Sequence, residues 1–148
     1  CVEFLDGDVV RTHLSRELGF SQEDRDTHIE RIGWFASRLM RHGAVVVVAA
    51  ISPYEASRAA ARSMIEECGV FVEVWVKATV GECARRDVKG LYARAYAGEI
   101  QQFTGVSDPY EPPVRPEVVT DTESQTPDES LLQVLAELER RGLLSPAR

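Results

Sequence analysis

Positions 44–51 hold an unbroken apolar run, AVVVVAAI, which leaves this part of the chain few conformations in a folded protein. Consecutive valines favour an extended strand, because β-branched side chains pack well on a pleated surface. A strand with no polar residue at alternate positions is typical of a parallel sheet covered on both faces. We therefore predict a parallel strand here, buried on both sides.

Helices and further strands are predicted on both sides of this run. Residues 24–42 carry apolar side chains at helical spacing, and Gly43 follows as a helix stop. The other predicted strands are 2–5, 70–76 and 117–120, and the other predicted helices are 54–68, 79–86, 89–97 and one from 126 or 128 to 142. Residues 101–116 are rich in proline and predict a loop. This order indicates an α/β domain with a mostly parallel sheet.

The composition excludes several classes of protein. The chain has 148 residues with 17 basic and 24 acidic side chains, a net charge of −7, which disfavours a nucleic-acid-binding protein. No apolar run approaches the roughly 20 residues of a membrane span. The length favours one domain over residues 1–148. Cys1, Cys68 and Cys83 lack the spacing of a metal site, and their odd number favours a reducing compartment, so we predict a cytoplasmic protein.

Polar residues follow the first two predicted strands, where ligands bind in parallel sheets. Asp6 and Asp8 flank Gly7 in a predicted loop. They could hold Mg²⁺ through water or take a proton from a substrate hydroxyl, or they could form an ordinary turn. Ser52 could cap the next helix, bind an anion or accept a phosphoryl group.

Cations and one aromatic residue follow these strand ends. Arg11 and Arg25 could bind phosphate or sulfate oxygens, or form surface ion pairs. Phe20 could stack on a base or fill the core. His28 lies three residues after Arg25, so both could face one side of the helix. A later stretch could close over a ligand or be a solvated helix, and its cations are Arg85, Arg86, Lys89 and Arg94.

Seven segments together resemble the adenylylsulfate kinase (APS kinase) family over about residues 3–130. In chain order they are LDGDVVR at 5–11, LGFSQEDR at 18–25, RIG at 31–33, ISPY at 51–54, RDVKGLY at 86–92, AGEIQQFTG at 97–105 and DPYEPP at 108–113. The resemblance implies a P-loop kinase-like three-layer fold. It also implies transfer of the γ-phosphoryl group of ATP, with Mg²⁺, to the 3′-hydroxyl of adenylyl sulfate.

The resemblance also implies roles for individual residues. Asp6 and Asp8 would lie by the transferred group, with Asp6 organising the metal through water, and Arg85 would contact the nucleotide cofactor. Ser52 matches a serine labelled as a phosphoserine intermediate, and His28 stands where the family has a substrate-contacting Asn. The residues implied to bind adenylyl sulfate are Arg11, Phe20, Arg25, His28, Ile51, Ser52, Lys89 and Phe103, with the two phenylalanines enclosing the adenine. A homodimer or larger oligomer and a fused or associated ATP sulfurylase are implied partners.

The phosphate-binding loop of this family has no match in residues 1–148. The motif Gly-x-x-x-x-Gly-Lys-Ser/Thr is absent, so we expect the fold to lack the N-terminal strand–P-loop–helix unit and the chain to be a segment of a longer protein. Two alternatives to the kinase are a degenerate regulatory module that binds nucleotide without catalysis and another P-loop kinase. The pairing of Phe20 with Phe103 argues against the latter.

Overall fold

The computed structural model describes residues 1–144, which contain both helices and strands. The elements are β1 (Val2–Asp6), α1 (Gly7–Leu14), α2 (Gln22–Met40), β2 (Val45–Ala49), α3 (Glu55–Glu66), β3 (Val74–Lys77), α4 (Val80–Arg86), α5 (Leu91–Tyr96), β4 (Val118–Asp121) and α6 (Pro127–Arg140). β1 pairs with β2 and β3 with β4, both in parallel. This confirms the predicted α/β class with parallel strands.

Contacts group the described chain into two compact units. The first contains Cys1–Phe71 and Gln102–Pro112, and the second contains Val72–Gln101 and residues 113–144. No helix in residues 1–144 combines the length and apolar character needed to cross a membrane. The single domain expected over residues 1–148 stays a prediction.

The core of the first unit lies where α2 packs on α3 and on the β1–β2 pair. Its buried apolar residues are Leu5, Val10, Ile29, Ile32, Ala36, Ala61 and Ile65. Gly33 allows the two helices to approach closely, because a β-carbon there would lie 3.0 Å from the Ala61 Cβ. The helical spacing seen in residues 24–42 therefore identified the correct buried face.

Two predictions for β1 and β2 need correction. Asp6-Gly7-Asp8 is not a loop, because α1 begins at Gly7 with Asp6 as its N-cap. β2 is not covered on both faces in this structure: Val46 packs on the core, whereas Val45 and Val47 are 60% and 48% exposed. Val48, on the same face as Val46, is also 41% exposed, so burial does not alternate along this strand.

The start of α3 is also different from the prediction. Ser52 does not cap this helix; the N-cap residue is Tyr54, and it makes no side-chain capping bond. The Glu55 N–H instead donates to Glu111 Oε2 at 2.7 Å. The loop segment therefore supplies the capping carboxylate from 56 residues away in sequence.

The second unit contains β3, β4 and three helices. β3 begins at Val74 rather than at residue 70, because its register pairs Val74 with Val118 and β4 has only four residues. Thr79 caps α4, and Thr126 forms a capping box with Glu129 at the start of α6. These threonine caps explain why the predicted starts of both helices are accurate.

Candidate functional site

The β1–α1 junction holds the two candidate catalytic carboxylates. Asp6 is half-buried, and its Oδ1 accepts hydrogen bonds from the N–H groups of Asp8 and Val9 at 2.8 and 3.1 Å. Within residues 1–144 its Oδ2 receives no hydrogen bond from the protein. Asp8 lies in the exposed first turn of α1. One oxygen of Asp6 therefore fixes the helix start, and the other can accept a proton or bind water.

Phe20 lies beside both candidate anion-binding arginines. Its ring centroid is 4.9 Å from Arg11 Cζ and 5.6 Å from Arg25 Cζ. The side chain of Arg11 is held by a 2.9 Å hydrogen bond to the Gly19 carbonyl. Phe20 is 56% exposed, so it does not fill the core and its ring can contact a ligand.

The proximity of the two guanidinium groups favours an anionic ligand. Burial and the positive charge of Arg25 lower the pKa of Arg11, against the opposing effect of Asp24 and Asp8. Two positive charges close together in a partly buried position repel each other, and an anion bound between them stabilises both. Phosphate and sulfate oxygens match the planar donor groups of arginine.

Arg25 also connects Phe20 to the loop that carries Phe103. Its Nε donates to the Phe20 carbonyl at 2.9 Å, and its Nη2 donates to the Gln102 carbonyl at 2.5 Å. Asp108 Oδ2 lies 3.9 Å from the same Nε. One guanidinium group therefore ties both segments that carry the predicted adenine-binding phenylalanines.

Sequence reasoning assigned no role to Tyr54 and Asp108, which form a second connection to this loop. The Tyr54 hydroxyl donates to Asp108 Oδ2 at 2.5 Å, and the tyrosine is buried. Burial, together with this hydrogen bond, raises the pKa of Tyr54 to about 12. Both residues lie inside the ISPY and DPYEPP segments, which was the only signal available in the sequence.

We expect Tyr54→Phe to destabilise the protein by about 1.5–3 kcal/mol at neutral pH, the usual contribution of a hydrogen bond to a charged group. The folded protein keeps the phenol proton to about pH 12, whereas a free tyrosine loses it near pH 10. The stability this proton provides is therefore complete below pH 10 and is lost as the pH rises from 10 to 12. Urea unfolding at pH 7 and between pH 10 and 12 measures both effects.

Tyr96→Phe is the matched control, because Tyr96 is 61% exposed. It should leave stability unchanged at neutral pH. If Tyr54→Phe and the parent protein lost stability in parallel above pH 10, the Tyr54–Asp108 bond would not be the cause.

Ile51 and Ser52 lie just beyond β2. Ile51 is exposed, and Ser52 has a φ of 43°, which is rare for a residue with a side chain. The Ser52 carbonyl accepts a 2.7 Å hydrogen bond from Arg58 Nη1, and Arg58 Nη2 donates to the Glu111 carbonyl. Left-handed backbone at such a place costs about 1–2 kcal/mol and often marks a functional site.

His28 makes hydrogen bonds within the protein that sequence reasoning did not foresee, and the substrate contact that the resemblance implies for it stays a prediction. The ring is 5% exposed, with Nδ1 3.0 Å from Ser15 Oγ and Nε2 3.2 Å from the Gly7 carbonyl. Burial and the charge of Arg11 lower the pKa of His28, so the ring is neutral near pH 7. Both nitrogens are therefore used inside the protein.

Lys89 and Arg85 belong to the second unit. Lys89 is exposed, and Arg85 is exposed with its guanidinium 2.6 Å from Glu82 Oε1. Arg86 shares Glu82 and also donates to the Thr122 carbonyl. The ligand contacts of Lys89 and Arg85 stay predictions.

The carboxylates of the site could supply only part of the coordination shell of a metal ion. Within residues 1–144, no group of three or more His, Cys, Asp or Glu side chains could hold an ion. Mg²⁺ commonly takes one or two carboxylates and completes its shell with water and substrate phosphates. Asp6, with one oxygen not engaged in capping, fits that outer role but not a closed protein cage.

This α/β protein has a carboxylate at the β1–α1 junction and, in the connection between α1 and α2, an aromatic ring flanked by two arginines. Residues 1–121 match the family described as adenylylsulphate kinase. An adenylyl-sulfate kinase of Rippkaea orientalis is 52% identical over 144 residues, which are 97% of this chain and 78% of that protein. This chain belongs to the adenylylsulphate kinase family, and it is an enzyme of the phosphotransferase class.

Two further proteins extend the comparison. The APS kinase of Mycobacterium tuberculosis, solved in complex with AMPPNP and APS, superimposes with a TM-score of 0.89 at 40% identity, covering 93% of this chain and 80% of that one. A probable bifunctional SAT/APS kinase of Sorangium cellulosum is 55% identical over 95% of this chain and 24% of that protein. The structural match confirms the kinase-like fold.

Proposed function

We propose that this protein transfers the γ-phosphoryl group of ATP to the ribose 3′-hydroxyl of adenylyl sulfate, which forms 3′-phosphoadenylyl sulfate and ADP. The observation that carries the proposal is the Arg25 guanidinium, which lies over Phe20 and hydrogen-bonds both to its carbonyl and to the residue before Phe103. Aromatic rings beside cations suit a sulfated adenine nucleotide. Family membership supports the same reaction.

The substrate is held by residues of the first unit. Phe20 and Phe103 enclose the adenine, and Arg11 and Arg25 bind the phosphate and sulfate oxygens. The Ile51 backbone and Ser52 line the same site. In the second unit, Lys89 is the proposed further contact to adenylyl sulfate. Ser52 acts in binding rather than as a phosphoserine, because direct in-line transfer requires positioning and charge stabilisation but no covalent enzyme intermediate.

Asp6 is the candidate base. The 3′-oxygen bonds to the γ-phosphorus, the bond from that phosphorus to the β,γ-bridging oxygen breaks, and ADP leaves with the electron pair. Asp6 accepts the hydroxyl proton on the oxygen that does not cap α1. Mg²⁺, when bound, would supply charge neutralisation for phosphoryl transfer, and Asp6, through water, and Asp8 are the residues that would hold it here. Arg85 contacts the ATP.

A coupled assay of 3′-phosphoadenylyl sulfate formation from ATP and adenylyl sulfate by the full-length protein tests this proposal. Product formation supports it, and binding of adenylyl sulfate without turnover would support the non-catalytic regulatory module, which the kinase relatives do not favour. The proposal also includes a single kinase-like domain over residues 1–148, a homo-oligomer, an associated ATP sulfurylase and a cytoplasmic location.

Phe103→Ala should weaken adenylyl sulfate binding by about 1–3 kcal/mol, the contribution of one base stack. The Arg25 bond to the Gln102 carbonyl uses the backbone only, so the loop should keep its place in this variant. Isothermal titration calorimetry of the full-length protein measures the dissociation constant. Trp34→Ala, which removes an exposed ring elsewhere on α2, is the control. Equal affinity of Phe103→Ala and the parent protein would exclude the stack.

A further inference from the structure

His28 is a buried histidine that connects the two ends of one short helix. Gly7 is the first residue of α1 and Ser15 is its C-cap. The imidazole of His28, which projects from α2, lies 3.2 Å from the Gly7 carbonyl and 3.0 Å from Ser15 Oγ. Ser15 is fully buried, so its hydroxyl has no water to replace this partner. A single ring therefore contacts both ends of α1.

The partners also determine how the ring is protonated. The Gly7 carbonyl can only accept, so Nε2 carries the hydrogen. Nδ1 of the neutral ring then accepts the hydrogen of the Ser15 hydroxyl. Burial and the charge of Arg11 lower the pKa of His28, which favours this neutral form. The ring thus donates a hydrogen bond to the first residue of α1 and accepts one from its C-cap. Together the two bonds hold α1 in one position along its axis.

We infer that His28 is a positioning residue that sets the place of α1, and with it the Asp6 carboxylate, relative to the substrate-binding end of α2. Asp6 caps α1, and Gly7 follows it directly, so a shift at the Gly7 carbonyl moves the carboxylate. The start of α1 has little free space, because a β-carbon at Gly7 would lie 3.1 Å from the Ala49 carbonyl oxygen.

The substrate contacts do not depend on His28 in the same way. Arg25 lies on α2 itself and is held by the carbonyls of Phe20 and Gln102. Arg11 lies on α1, but its guanidinium is also fixed from outside that helix, by the Gly19 carbonyl and the Phe20 ring. Loss of His28 should therefore affect turnover more than binding. This inference rests on the proposed roles of Asp6 and of adenylyl sulfate.

Three substitutions in the full-length protein separate the two bonds. His28→Leu removes both hydrogen bonds. The shorter side chain of His28→Asn can reach only the position that Nδ1 occupied, whereas His28→Gln can put an amide N–H near the position that Nε2 occupied. A misplacement of about 1 Å at a reacting group costs up to roughly 100-fold in rate. We expect His28→Leu to lower kcat about 10- to 100-fold, with the dissociation constant of adenylyl sulfate changed less than about threefold. His28→Gln should recover more of kcat than His28→Asn.

His42→Gln, at an exposed position after α2, is the control and should match the parent protein in kcat and in affinity. Unchanged kcat in a folded His28→Leu protein would overturn the inference. If His28→Leu does not fold, the asparagine and glutamine variants decide: equal kcat for both, or equal losses in kcat and affinity, would show a merely structural role. A parent protein that makes no 3′-phosphoadenylyl sulfate would instead overturn the proposed function.

Discussion

Asp6→Asn should lower the turnover of adenylyl sulfate by about 10²–10⁴-fold, the range expected when a general base is removed. Asparagine keeps an oxygen that can accept the N–H groups of Asp8 and Val9, so α1 should still be capped. The substitution therefore removes the charge and the basic oxygen with little effect on the fold. Pre-steady-state measurement of product formation, beside calorimetric binding of adenylyl sulfate, separates turnover from affinity.

Two further variants make this result specific. Asp6→Ala removes the cap as well and should cost about 1 kcal/mol of folding stability in addition to the lost turnover. Glu3→Gln removes an exposed acid from the same strand, β1, and should leave turnover unchanged. Turnover in Asp6→Asn equal to that of Glu3→Gln would exclude Asp6 from the chemistry.

Arg25→Lys should weaken the binding of adenylyl sulfate by about 1.5–3 kcal/mol, or roughly 10- to 150-fold, while the protein stays folded. The guanidinium donates to the Phe20 and Gln102 carbonyls from two different nitrogens, and a lysine ammonium cannot reproduce that planar arrangement. Lysine keeps the positive charge, so the expected loss of affinity measures the contribution of the planar hydrogen-bonding arrangement. Calorimetry at fixed ionic strength measures it.

Arg38→Lys is the matched control on the same helix, because Arg38 is exposed and stacks on Trp34. It should bind adenylyl sulfate as the parent protein does. If Arg25→Lys kept the parent affinity, then the charge alone would account for the role of Arg25, and the connection between Phe20 and the loop at 102 would carry no binding energy.

Elements with strong local signals were predicted correctly from the chain. Helix α2 follows from the apolar spacing at Ile29, Ile32 and Ala36, and the starts of α4 and α6 follow from Thr79 and Thr126. These signals act over about one turn of helix, so sequence alone contains them. The failures are at Asp6-Gly7-Asp8, read as a loop, and at the valines of β2, read as buried on both faces. Exposure of the β2 valines depended on partners outside the segment, whereas the Asp6 cap of α1 is a local signal that the sequence contained and that was missed.

The candidate site also combines residues that the sequence indicated with contacts that only the folded structure shows. The family resemblance indicated Asp6, Arg11, Phe20, Arg25 and Phe103. The structure brings Arg11 and Arg25 of this set to the ring of Phe20. The resemblance could not reveal that Arg25 donates to the carbonyl of a residue 77 positions later, or that Glu111 caps α3. The substrate contact implied for His28 stays a prediction, and its bonds to the two ends of α1 were not foreseen.

The amino-acid sequence by itself determined the class of the fold, the family and the residue types available for phosphoryl transfer, because periodicity, caps and motifs are local properties of the chain. Only the tertiary structure decided which of those side chains are free to meet a ligand and which are used to hold the protein together. His28 and Asp6 show the physical reason: the role of a polar group depends on the partners that folding brings within about 3 Å of it.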